Sequence, residues 1–155
     1  MPRLNYYRRK DAIKPLLDLT ALVRQSGLEA PLLELVFMRA SQLNGCAYCL
    51  DMHSKDALAA GEDSKRLFVL PAWREADFYT ERERAALAWT EAVTRLDPLH
   101  GVPDAVYEQA RAVFSEDELI DLNMAVIGIN SWNRLAIPFR SEPGHYQPGN
   151  HKTQD

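Results

Sequence analysis

Apolar positions recur along this chain at three- and four-residue intervals, the spacing of helix faces rather than strands. Over residues 11–25, Ile13, Leu16, Leu17, Leu19, Leu22 and Val23 outline a first amphipathic helix, with Gly27 after its end. Residues 29–44 predict a second helix that is apolar almost all round, through Leu32, Leu33, Leu35, Val36, Phe37, Met38, Ala40 and Leu43. Gly45, suited to a left-handed cap, separates it from a third helix over 46–60, which Gly61 closes. Residues 64–77 carry the weakest periodicity. Leu67 to Leu70 has strand propensity, but a lone strand has nothing to pair with, so helix is the expectation.

Two S/T-x-x-E boxes mark further helix starts. Thr80 with Glu83 opens a helix to about Arg95, and Ser115 with Glu118 opens one over 116–137 that Pro138 should stop. Between them, Pro103 can begin a helix through Val113. The chain thus reads as one all-α domain of six or seven helices over residues 1–140. A polar tail, 141–155, follows, either mobile or laid over a partner subunit.

Composition narrows the function. The 155 residues are 46% hydrophobic and 26% charged with a net charge of −4, an ordinary globular balance with no basic stripe for nucleic acid. The short basic run Arg8-Arg9-Lys10 is followed by Asp11 and reads as solvated charge. No apolar leader or membrane-length segment is present, so a cytoplasmic, reducing setting is expected. There, two cysteines point to catalysis or metal binding rather than to a structural bridge.

Those cysteines carry the sharpest signal. In Cys46-Ala47-Tyr48-Cys49-Leu50-Asp51-Met52-His53, Cys46, Cys49 and His53 fall on one helical stripe. That stripe should continue inward as Leu50, Ala57 and Ala60, with Asp51, Ser54, Lys55 and Glu62 pointing away. The thiols stand where the N–H groups of a helix start favour a thiolate. Glu34 lies mid-helix among Ala30, Pro31, Phe37 and Met38, surroundings that should raise a carboxyl's pKa and make it a proton carrier. Alternatively it reaches solvent or pairs with Arg39. Zinc on the two thiols, His53 and Glu34 is a further reading, although the ligand set is unusual. His100, His145 and His151 lie in loop or tail and read as exposed. Trp73, Trp89 and Trp132 read as core or interface anchors.

Glu34, Cys46, Cys49 and His53 together resemble the Glu…Cys-x-x-Cys-x-x-x-His pattern of the AhpD-like alkylhydroperoxidases, in the carboxymuconolactone decarboxylase superfamily. The flanking runs Arg39–Gly45 and Asp51–Lys55 extend the likeness over about residues 31–62. A weaker similarity reaches Trp73-Arg74, the helix over 80–94 and Asn130–Arg134. The resemblance implies an all-helical fold and a thiol-dependent hydroperoxide reductase with no bound metal or organic cofactor. It implies Cys49 as the peroxidatic thiol, Cys46 as its disulfide partner, and His53 and Glu34 as a proton relay. It also implies a hydroperoxide substrate, a dithiol or lipoyl-type electron donor, and a homotrimer or homohexamer. A protein disulfide reductase or a redox-sensing oligomer would use the same parts. One departure stands out: Tyr48 occupies the position where the best-characterised members carry a second histidine.

Overall fold

The computed structural model describes residues 1–149 of the chain. Seven α-helices follow in order: α1 (Lys10–Arg24), α2 (Ala30–Asn44), α3 (Ala47–Ala59), α4 (Ser64–Val69), α5 (Glu81–Thr94), α6 (Asp104–Arg111) and α7 (Glu116–Phe139). A 3-10 turn at Tyr6–Arg8 precedes them, and another at Leu70–Glu75 continues α4. Among the described residues the sole extended pairing is an isolated bridge between Asp97 and Gly101.

α2 is the central strut, packed against α3, α5 and α7. Leu32, Leu33, Val36, Phe37 and Ala40 enter one apolar cluster with α1, α5 and α7. Leu35 and Met38 enter a second, with Leu67, Leu70, Trp73, Tyr79 and Leu87. A helix standing between two cores has no side left for water, which is why its sequence lacks a polar face. Each fully buried leucine here, such as Leu33 and Leu35, contributes about 1.5–3 kcal/mol by leaving water.

The capping signals act as read. Thr80 with Glu83, and Ser115 with Glu118, form reciprocal capping boxes. Gly45 takes the left-handed conformation (φ 72°), closing α2 with bonds from its own N–H to the Gln42 carbonyl and from the Cys46 N–H to that of Ser41. This pair of bonds is a Schellman motif, and it sets the direction in which the chain enters α3. Pro138 does not stop α7, which runs to Phe139 before Arg140 ends it in a left-handed cap (φ 55°). A proline in the last turn costs one N–H bond but does not break the turns before it.

A buried polar staple joins α2 to α7 just ahead of the cysteines. The Asn44 amide donates to the side-chain oxygens of Asn130 (2.9 Å) and Asn133 (2.8 Å), and the Asn133 amide donates to Ser41 Oγ (3.1 Å). Ser41 and Asn133 are wholly buried. The Asn130–Asn133 similarity thus belongs to the scaffold that holds the thiol turn.

Residues 141–149 fold back on their own α3: Lys55 Nζ donates to the carbonyls of Gly144 (3.3 Å) and Tyr146 (3.1 Å), and the Gly144 N–H donates to Asp51 Oδ2 (2.9 Å). Asp51 and Lys55, read as solvent-facing, are the docking points. Ala60 lies outside α3 and is exposed, while Ala57 is buried and Leu50 half-buried.

Candidate functional site

Cys46 is the N-cap of α3, and its sulfur accepts the backbone N–H of Cys49 (3.3 Å). It therefore precedes the first helical turn rather than lying within it. The two sulfurs are joined in a disulfide with the Cα atoms 5.3 Å apart. One turn after Cys49, His53 is buried with its ring 4.9 Å from that of Phe37. Its Nδ1 lies 2.9 Å from Glu34 Oε2.

Glu34 is buried, as expected, yet its charge state is the opposite of the one expected. Arg24, from the end of α1, donates to Glu34 Oε1 at 2.8 Å while its guanidinium lies 5.5 Å from the Phe37 ring centre. Burial pushes the carboxyl upward, but the hydrogen bond and charge of His53 and those of Arg24 outweigh it and hold Glu34 below the usual carboxylate range. An ionised Glu34 accepts only, so Nδ1 of His53 donates in this bond and Nε2 is the ring atom left to exchange a proton. Arg39 plays no part: it pairs with Glu91 (2.8 Å), which also takes the Trp73 indole N–H.

Three further residues complete the surroundings. Arg24 gives no local signal, since only the packing of α1 on the rest of the fold brings it to Glu34. Asp56 was legible in principle, being three residues after His53 on the same stripe. Tyr146 arrives from the folded-back tail and donates its hydroxyl to Asp56 Oδ1 (2.7 Å). Glu34, His53 and Asp56 can each place one ligand atom within 4.8 Å of the others. Neither sulfur belongs to that group, the two being bonded to each other.

Cys49 and His53 both line a cavity of about 620 Å³ whose wall is largely apolar and aromatic, including Tyr6, Ile13, Phe37, Tyr48 and Trp132. Cys46 instead lines a smaller cleft of about 170 Å³ beside Arg140 and Ser141. Tyr48 borders both, and burial pushes its phenol up. His100 and His145 are exposed as read, while His151 lies outside the described residues. Trp73 and Trp89 are core residues. Trp132 forms part of the cavity wall, its indole donating to Thr20 Oγ1 (2.8 Å).

Comparison with known proteins gives the family. Residues 15–92 match the carboxymuconolactone decarboxylase family. YdfG, an uncharacterised protein of Bacillus subtilis, is 40% identical over 136 residues, spanning 87% of this chain and 92% of its own. A crystal structure from Agrobacterium tumefaciens, of unknown function and with a suggested place in antioxidant defence as AhpD, superposes with a TM-score of 0.89. It is 39% identical and covers 94% of this chain and 100% of its own. The debrominase Bmp8 shares the fold at a TM-score of 0.79 and 20% identity, over 89% of this chain and 74% of its own. Both the family match and the two closely similar relatives cover most of the elements that build the thiol turn and its relay, and on that ground the chain belongs to the carboxymuconolactone decarboxylase family as an AhpD-like member.

Proposed function

We propose that this protein is a thiol-dependent hydroperoxide reductase in which Cys49 attacks the peroxide, Cys46 resolves the product, and His53 and Glu34 manage the proton. One observation carries the reading: in a Cys-x-x-Cys pair at a helix start, the second cysteine shares a largely apolar cavity with a carboxylate-held histidine one turn on. Cys49 rather than Cys46 takes the peroxidatic role because it shares the cavity with His53.

The chemistry balances as follows. His53 Nε2 accepts the Cys49 thiol proton, and the resulting imidazolium is stabilised by Glu34. The thiolate attacks the terminal peroxide oxygen; the O–O bond breaks, and the alkoxide leaves as an alcohol after taking that proton. Cys49 is left as a sulfenic acid. The Cys46 sulfur attacks it, expelling water and forming the Cys46–Cys49 disulfide. An external dithiol, such as a lipoyl group, returns two electrons by thiol–disulfide exchange. The N–H that Cys49 donates to Cys46 Sγ favours negative charge on Cys46 during the exchange.

Reduced protein treated with an organic hydroperoxide should lose two thiols with no gain of oxygen mass, and should turn over peroxide steadily with dihydrolipoamide. Retention of both thiols, or a disulfide that forms without sustained turnover, would reject a peroxidase.

A further inference from the structure

The cavity wall contains three basic residues and no acidic one, in a chain that carries 22 acidic against 18 basic residues. All three, Lys10, Lys14 and Arg24, lie on one stripe of α1 with Leu17 and Ala21 between them. Arg24 is already neutralised by Glu34 at the reactive end. At 1.5 Å rise per residue, Lys14 stands about 15 Å from Arg24 along the helix axis and Lys10 about 20 Å. Both lysines are exposed, so they mark the mouth. Lys14 shares its ammonium with Asp18 (2.6 Å), a well-exposed pair of the kind that holds weakly and can admit another carboxylate. The basic run Arg8-Arg9-Lys10 therefore ends at an opening rather than on featureless surface. Between mouth and thiol the wall is apolar, through Ile13, Leu17, Ile129 and Trp132. Its volume of about 620 Å³ suits a ligand of some size, within the usual range of small-molecule pockets.

We propose that this cavity receives an amphipathic organic anion: a long apolar chain whose carboxylate rests at Lys10 and Lys14 and whose body runs along α1 to Cys49. Resting on the peroxidase reading for its reaction but not for its binding, the proposal makes the substrate class the hydroperoxides of long-chain unsaturated carboxylic acids. A carboxylate separated by roughly ten carbons from the peroxide group is comparable in length to the run of about 15 Å from Lys14 to Arg24 along α1.

Binding is tested without turnover. Dodecanoate and its methyl ester are titrated into the disulfide form, followed by tryptophan fluorescence and calorimetry. One dodecanoate per chain is expected, with the ester about tenfold weaker. Lys10→Ala with Lys14→Ala, both at exposed positions, should remove most of that preference for the acid. Equal binding of acid and ester, or no binding of either, overturns the proposal. A preference that survives the double substitution also overturns it, since the lysines would not be the anchor. In turnover, linoleic acid hydroperoxide should show kcat/KM about tenfold above tert-butyl hydroperoxide. If tert-butyl hydroperoxide is consumed but dodecanoate does not bind, the ligand class falls and the peroxidase reading stands. If dodecanoate binds through the lysines but neither hydroperoxide is consumed, the peroxidase reading falls and the ligand class stands.

Discussion

A carboxyl among Phe37, Met38 and the aliphatic side chains of α2 would be driven towards protonation if it stood alone. Arg24 and His53 reverse that, so Glu34 orients the imidazole and holds its Nδ1 proton as an anion. Because its folded value lies below the ordinary one, its contribution to stability is complete above the carboxylate range and is lost as pH falls through the folded value. Glu34→Gln removes the partner of two buried or half-buried bases and should cost about 1–3 kcal/mol at neutral pH. Denaturant unfolding should show the gap from the parent protein closing in acid, and peroxide-driven thiol oxidation should slow by about tenfold or more. A gap that persists unchanged in acid would mean that Glu34 is not ionised in the fold. Cys46→Ser should accumulate a sulfenic acid on Cys49, trapped by dimedone and seen by mass, whereas Cys49→Ser should form none. The reverse pattern would exchange the two roles. Tyr48→His adds an imidazole where a phenol, pushed up by burial, does not titrate near neutrality. It should raise the steady-state peroxidase rate, and an unchanged rate would leave Tyr48 a wall residue only. Cys46, Cys49 and His53 stand out in the sequence by residue type and three- or four-residue spacing, and Glu34 by its apolar neighbours and the resemblance; the fold brings Glu34 to His53. Hidden was the direction in which the Glu34 carboxyl is shifted, since Arg24 arrives from another helix.

At the level of elements, the thiol turn depends on what precedes it. Gly45 must hold φ 72° with no side-chain contact to compensate, so Gly45→Ala should cost about 1 kcal/mol from backbone strain alone. Asn133→Ala empties a wholly buried position and strips partners from Asn44 and Ser41, for about 2–3 kcal/mol. Thermal unfolding measures both. The Asn133 variant should also oxidise more slowly, because the end of α2 that aims Cys46 loses its tie to α7. Helix starts were readable where a side chain makes the cap, as at Thr80 and Ser115, and helix ends where glycine does. Residues 64–77 read poorly because α4 is short and gives way to a 3-10 turn, leaving no sustained period. The tail was unreadable for a different reason. Its docking uses Asp51 and Lys55, charged residues indistinguishable by pattern from solvated ones, and backbone groups that carry no sequence signal.

For the whole molecule, the all-round apolar character of α2 is consumed within the chain's own two cores. The excess falls on α7, whose inner face buries Leu119, Leu122, Val126 and Ile129 while Ile120 (61% exposed) and Ile127 (41%) face outward. These two are seven residues apart and share a stripe, with Met124 half-buried between them. On α1, Leu22 is 57% exposed, and α1 packs beside α7. Single exposed apolar residues are ordinary, but a recurrent stripe on a long helix is the kind of surface that subunits cover. We therefore expect self-association in solution with the outer stripe of α7 at the interface, and the family resemblance makes a homotrimer or a homohexamer the assembly proposed. Light scattering on dilute protein should give a multiple of the 17.6 kDa chain. Ile120→Glu with Ile127→Glu should shift it to a monomer that keeps its helical circular dichroism, because both side chains lie outside the core. A parent protein that scatters as a monomer ends the oligomer prediction. A double variant that remains assembled moves the interface away from this stripe.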